Sequence, residues 1–266
     1  VGERLYFEDS YLDGEVHFLE TLDDYVSRVL CFPRESCGLL RDRVEALLSD
    51  GFIYLLETGA SFMDMRILGK GYTGVVSIAY NRLKGLGAIK ILRVDGRRSS
   101  LIREAEYMEK AYSTGLPPRL MSYRDFYVFY EYLPIWKCIG FEKMLVELLE
   151  NDRLPELKQL ILQALLKLYR LDLLGVDHTE INRPHGHMYV CSGDIKLLDW
   201  ESARSSVKPG NVSSFVSYIL FRFKRRDELI NILGVRVEEA LSALRKYKES
   251  YSREDFQRIV SAILPQ

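Results

Sequence analysis

The stretch DHTEINRPHGH, residues 177–187, sets three histidines and two carboxylates within eleven positions. Such a run suits a metal site, a catalytic loop or a polar turn, and alone it supports all three. His185 and His187, joined by Cys191 or His178, offer donor types that zinc accepts. Asp177 and Asn182, joined by Asp199 further on, offer different chemistry. One carboxylate of such a trio accepts a hydroxyl proton, while the amide and the second carboxylate hold magnesium ions that neutralise phosphates. No second ligand cluster is evident elsewhere in the sequence, so His185 and His187 are read as structural hydrogen-bonding groups. His178, directly after Asp177, is expected to orient that carboxylate or to contact a substrate.

A second set lies upstream. Gly69-Lys70-Gly71-Tyr72-Thr73-Gly74 has the spacing G-x-G-x-x-G. Glycines so placed let a strand, a turn and a strand close over a polyphosphate with backbone N–H groups as donors. The dinucleotide-binding version needs a helix after the glycines. Here Val75-Val76 begins another strand signal, which favours a flap over ATP. Lys90 ends the apolar run GAIK. At a strand end a lysine is ordinarily a solvated edge charge; inside a phosphate site it needs an acidic partner. The helix SLIREAEYMEK supplies one. Its apolar stripe is Leu101, Ala105, Met108 and Tyr112; Glu104 borders that stripe and Glu106 points away from it. Glu104 is therefore the expected partner of Lys90.

These residues need elements to position them. LETLDDYVSRVL and RESCGLLRDRVEALLSDG have helical periodicity, the second closing at Gly51. FIYLLET and FMDMRIL read as two strands about Gly59. Residues 1–62 are thus a winged-helix module or a mainly helical extension that braces the next domain. Residues 63–133 read as a small β-rich lobe with one helix, which starts near Ser99 and Ser100 and stops at Gly115 and Pro117. Residues 134–266 read as a larger helical lobe. Within it HMYVC and IKLLDW flank Ser192-Gly193-Asp194 as a hairpin, and LKQLILQALLKLYRLDLLG, apolar around its circumference, is the expected buried centre. The fold class is α+β with two lobes, joined between Leu133 and Pro134.

Bulk properties exclude little. The 266 residues are 47% hydrophobic, enough for a substantial core. A formal net charge of −1 gives no electrostatic case for a dedicated nucleic-acid or membrane binder. No apolar run is long enough to span a bilayer, and VGERLYFEDS lacks the basic and apolar regions of a signal peptide. Cys31, Cys37, Cys138 and Cys191 have no C-x-x-C spacing, so free buried thiols and a cytoplasmic location are expected.

GKGYTGVV, GAIK, Glu104, DHTEIN and LLDWE occur in one order, each in a matching context. Over residues 66–201 the sequence resembles the protein-kinase-like superfamily. Gly175 stands where eukaryotic-type kinases carry the His of their catalytic loop, and Thr179 where they carry Lys. RIO-type atypical kinases, and the small archaeal kinase of the tRNA-threonylcarbamoylation complex, similarly put Ser or Thr there. DHTEIN is close to the RIO pattern D-x-S-E-Y-N, and the whole loop looks most like a serine/threonine kinase family of archaea. The resemblance implies a two-lobed kinase that uses ATP and Mg2+ to phosphorylate a Ser or Thr hydroxyl of a protein, or of the chain itself. It implies Asp177 as base, Asn182 and Asp199 as magnesium ligands, and Lys90 with Glu104 on the phosphates. It also implies residues 69–74 and Val76 over the nucleotide, and the backbone of Glu131 and Leu133 on adenine. Asp199-Trp200-Glu201 replaces the DFG motif and no APE-like segment comes after it. Because Asp-aromatic-Glu endings occur in aminoglycoside and choline kinases, a small-molecule phosphotransferase is the alternative. A RIO-like ATP-dependent assembly factor, docking RNA, DNA or protein through residues 1–62, is another.

Overall fold

Strand-forming runs fill the first half of the sequence and helix-forming runs the second. The computed structural model, which describes residues 4–7, 10–134 and 136–265, keeps that order: an α+β fold, β-rich in its N-terminal region and largely helical in its C-terminal region. The chain divides into two units, one of Val1–Glu106 and Arg119–Leu133, the other of Tyr107–Pro118 and Pro134–Gln266.

The first unit runs β1 (Arg4–Phe7), β2 (Ser10–Asp13), β3 (Glu15–Phe18), α1 (Asp24–Leu30), α2 (Leu40–Ser49), β4 (Phe52–Glu57), β5 (Ala60–Phe62), β6 (Met65–Ile67), β7 (Gly69–Lys70), β8 (Gly74–Asn81), β9 (Gly85–Leu92), α3 (Ile102–Ala111, whose residues from Tyr107 on belong to the second unit), β10 (Leu120–Tyr123) and β11 (Tyr127–Tyr130). Among the described residues an antiparallel sheet has the order β10-β11-β9-β8-β4-β3, with β7 also on β8. The central strands β8 (GVVSIAYN) and β9 (GLGAIKIL) are covered on both faces, which is why their apolar residues run almost without alternation. Residues before position 63 enter the same sheet through β3 and β4. The expected strand pair about Gly59 is not formed. β4 pairs with β3 and β8 instead, and among the described residues β5 pairs only with β6. That hairpin turns at Met63 and Asp64, whose positive φ angles of 49° and 60° suit the twist of a two-residue loop.

The Ser100 hydroxyl accepts the Ile102 N–H at 3.1 Å and opens α3. Leu101, Ala105 and Met108 are buried as the stripe requires, but Tyr112 is 55% exposed and Ala111 takes the buried position. The last turn tightens to 3₁₀ geometry over Tyr112–Thr114, which rotates Tyr112 off the stripe.

The second unit continues with β12 (Cys138–Gly140), α4 (Phe141–Glu150), α5 (Leu154–Leu173), β13 (Val176–Asp177), β14 (Met188–Cys191), β15 (Asp194–Leu197), β16 (Arg204–Ser205), α6 (Asn211–Ser217), α7 (Arg226–Leu233), α8 (Val237–Ser250) and α9 (Arg253–Ile263). α5 is buried along Leu157, Ile161, Ala164, Leu165, Leu168 and Leu171, yet Leu166 and Leu173 are exposed, so it is one-sided rather than wrapped all round. β14 and β15 form the expected hairpin, turning at Ser192 and Gly193 with φ of 48° and 83°. β12 adds to β14, and β13 makes a two-residue antiparallel bridge to β16.

The cysteines are not free. Cys31 is bonded to Cys37 and Cys138 to Cys191. The β12–β14 register sets Cys138 directly opposite Cys191, a pairing across 53 positions that spacing rules do not reveal. Among the described residues no helix is long and apolar enough to cross a membrane.

Candidate active site

In the first unit Lys90 lies on β9 between Val76 of β8 and Val128 of β11. It is not a solvated edge charge. Its Nζ donates to both oxygens of Glu104, at 3.0 and 2.8 Å, and the two residues are only 6% and 4% exposed. Glu106 is exposed, as its place on α3 demands. Ala88, two positions before Lys90 and so on the same face of β9, belongs to an apolar cluster with Leu12, Leu56, Ile78 and Tyr132. Leu68, Val76, Leu86 and Tyr130 pack against it. Beyond β11 the Glu131 N–H donates to the Arg119 carbonyl at 2.9 Å, and the Glu131 carboxylate accepts the Arg119 N–H at 3.1 Å. The Glu131 carbonyl and the Leu133 N–H have no hydrogen-bond partner among the described residues.

The glycine-rich turn joins β7 to β8 and is closed by the Gly71 N–H on the Gly74 carbonyl at 2.8 Å. Its glycines differ in kind. A Cβ on Gly74 would run into the Ile91 carbonyl, so strand packing requires glycine there. Gly69 and Gly71 face open space, where a side chain would meet nothing. Their bareness serves no internal packing; it leaves the backbone open to an approaching group. Thr73 is buried and its carbonyl accepts the Arg93 N–H at 2.9 Å. Tyr72 is 94% exposed, and Lys70 sets its ammonium 4.1 Å from the centre of the Phe62 ring.

In the second unit the polar loop leaves α5 and enters β13. Asp177 is buried, and its Oδ2 accepts from Arg204 Nε at 3.2 Å and Nη2 at 3.0 Å. Its Oδ1 accepts no bond from a described residue. His178 donates from Nε2 to the Leu198 carbonyl at 3.1 Å, and Thr179 Oγ to the Ser202 carbonyl at 3.4 Å. The 177–179 and 198–204 segments therefore run side by side, with the neighbours of Asp177 touching the neighbours of Asp199. Thr179 and Asp199 both have positive φ, 70° and 63°. For a β-branched threonine that is a strained backbone, a feature that concentrates at functional sites. Asn182 is half-buried. Its carbonyl accepts from Arg222 at 3.4 Å, and its side-chain amide bonds to no described residue.

A buried brace holds this loop. Asn211, at the start of α6, gives its Nδ2 to Asp172 at 2.8 Å and to the Val176 carbonyl, and its Oδ1 accepts the His178 N–H at 3.0 Å. It thus grips the backbone on both sides of Asp177. Asp172 also accepts the Asn211 N–H and the Tyr247 hydroxyl, at 3.1 and 2.8 Å. Burial pushes the Asp172 carboxyl up to about 6 despite these donors, and burial also raises the Tyr247 phenol. Burial has the opposite sign on His178, whose ring is lowered to about 3 and remains neutral near pH 7. Neither Asp172 nor Asn211 was expected. A carboxylate inside the apolar run of α5 was the one available signal.

The histidines need revision. His178 is fully buried, with its ring edge-on to Trp200, so it braces the loop. His185 is exposed, and His187 Nδ1 is buried with no hydrogen-bond partner among the described residues, 3.9 Å from Asp199 Oδ2. The structural bonding expected of that pair belongs to His178. Cys191 is in a disulfide, and these histidines form no metal-type cluster among the described residues. One such group does exist elsewhere. Glu15, His17 and Glu57 bring ligand-type atoms within 4.8 Å because β3 and β4 set Glu15 opposite Glu57. Both His17 nitrogens already lie on carboxylates, Asp23 at 2.8 Å and Glu57 at 3.2 Å. Comparison of the sequence with models of known protein families and with curated proteins finds no match.

Proposed function

We propose that this protein is an ATP- and Mg2+-dependent serine/threonine kinase of the protein-kinase-like superfamily, closest in its motifs to the RIO-like atypical group. The observation that carries the reading is the buried Lys90–Glu104 pair. Replacing a buried ion pair by apolar residues is often neutral or stabilising, so stability alone gives little reason to keep one in the middle of a sheet. A lysine held by a glutamate beside an open glycine turn is suited to nucleotide phosphates. The face carrying Val76 and Ala88, with the Glu131 carbonyl and Leu133 N–H that have no partner among the described residues, supplies what a flat heteroaromatic base requires. Asp177, with one carboxylate oxygen uncommitted, is the base. Asn182 and Asp199 offer oxygen donors of the kind magnesium prefers, and the Asn182 amide, which bonds to no described residue, fits that role. Bound magnesium would neutralise phosphate charge.

The test is incubation with radiolabelled ATP and Mg2+, with the chain alone and with casein added, for wild type, Asp177→Ala and Asp199→Ala. Label on protein is expected with wild type and absent from both variants. ATP binding without label on any protein would favour a small-molecule acceptor or an assembly factor. Equal labelling by Asp177→Ala would remove Asp177 from the reaction.

A further inference from the structure

We infer that Arg204 is a working part of the Asp177 site, resting on the kinase reading above: it orients the carboxylate and presents its spare N–H groups to the phosphoryl group transferred there. The β13–β16 bridge places Arg204 directly across from Asp177, so the pairing is fixed by backbone as well as by side chains. The form of the contact is informative. A purely structural Arg–carboxylate pair favours two parallel bonds, one to each oxygen. Here Nε and Nη2 converge on Oδ2 alone, and Oδ1 is left to accept a proton.

A guanidinium carries five N–H donors, and those not used on Oδ2 have no partner among the described residues. The Arg204 side chain is 65% exposed while that of Asp177 is 12% exposed, so the spare donors face solvent rather than the interior. No other cation bonds Asp177 among the described residues. Thr179, two positions after Asp177, has its hydroxyl on the Ser202 carbonyl and no charge to offer.

In the step assigned to this site, the acceptor hydroxyl oxygen bonds to the γ-phosphorus. The bond from that phosphorus to the β–γ bridging oxygen breaks, and its electron pair leaves with ADP. The hydroxyl proton passes to Asp177 Oδ1. In a loose transfer the charge is spread over the three phosphoryl oxygens and grows on the leaving bridge oxygen, and a fixed guanidinium beside them stabilises that arrangement.

The measurement is steady-state transfer from radiolabelled ATP to casein and to the chain itself, by wild type, Arg204→Ala, Arg204→Lys and Asp177→Asn, with a thermal melt of each. Arg204→Ala is expected to melt somewhat below wild type, because the exposed arginine itself contributes little while the Asp177 carboxylate, 12% exposed, loses both its donors. Its kcat should fall about 100-fold with the KM for ATP nearly unchanged. Added guanidinium should restore part of the loss where the same concentration of sodium chloride does not. Arg204→Lys, which keeps the charge without the fork, should lie between. An unchanged kcat in Arg204→Ala, while Asp177→Asn is inactive, overturns the inference and leaves the kinase reading standing. A raised kcat also overturns it, since Arg204 would then be a block on Asp177. No transfer by wild type under any condition removes both.

Discussion

Lys90 gives up most of its hydration to sit inside the sheet, and Glu104 is what makes that tolerable. Breaking a buried pair from one side leaves an uncompensated charge, at a cost of about 3–5 kcal/mol. Lys90→Met is therefore expected to lower the urea-unfolding free energy by about that amount. Lys90→Met combined with Glu104→Leu should recover most of it, because both charges are gone. Under the proposed function neither variant should bind a fluorescent ATP analogue. A double variant that regains stability and still binds nucleotide would separate the pair from the phosphates. This pair could be read from sequence because a helix offers few choices: buried Leu101, Ala105 and Met108 fix the face, and that face selects Glu104 over Glu106. Arg204 could not. Its bridge to Asp177 spans 27 positions through two strands of two residues each, too short to leave a periodic signal.

Elements position Asp177 more than its neighbours in the loop do. The end of α5 supplies Asp172, the start of α6 supplies Asn211, and α8 supplies Tyr247, so three helices converge on one short stretch of backbone. Asn211→Ala would strip partners from a buried carboxylate, a buried carbonyl and a buried N–H together, a loss of about 3 kcal/mol or more. The same brace should be visible in pH dependence. The Asp172 pKa is raised to about 6 in the folded chain from an ordinary 3.8. Between those values the folded state holds a proton that the unfolded state has released, so this contribution, about 3 kcal/mol, is complete below pH 4 and is lost as pH rises through 6. His178 acts in reverse. Lowered to about 3 from 6.5, it contributes stability above pH 6.5 that is lost as pH falls. The two slopes oppose each other in wild type, and Asp172→Asn removes one. The melting temperature of Asp172→Asn minus that of wild type is expected to rise between pH 4 and pH 7. A difference that stays flat would place the Asp172 pKa near its ordinary value. Beyond the carboxylate inside α5, this brace was not legible beforehand, because it depends on contacts between helices far apart in sequence.

At the scale of the molecule, periodicity gave the class and the order of elements, while pairing partners were hidden. FIYLLET is a strand as expected, yet its neighbours are β3 and β8, both at a distance in sequence, because a buried strand must pair the backbone N–H and C=O groups on both its edges. The cysteines failed for the same reason: spacing speaks of local geometry, and Cys138 meets Cys191 only through the sheet register. Each bridge lies inside one unit, the 31–37 bridge in the first and the 138–191 bridge in the second. Their contributions should therefore be separable. Closing a loop removes more freedom from the unfolded chain the longer the loop, so chain entropy assigns about 4 kcal/mol to a bridge with the 53-residue separation and about 2 kcal/mol to the 6-residue one. Cys138→Ser/Cys191→Ser is expected to melt at a lower temperature than Cys31→Ser/Cys37→Ser, and both below wild type. Treatment of wild type with a phosphine reductant should reproduce the combined loss, and it should leave a variant lacking all four cysteines unchanged. If reduction leaves the wild-type melt where it was and free-thiol titration finds four thiols before reduction, the cysteines are unpaired in solution, and the sheet register alone holds β12 against β14.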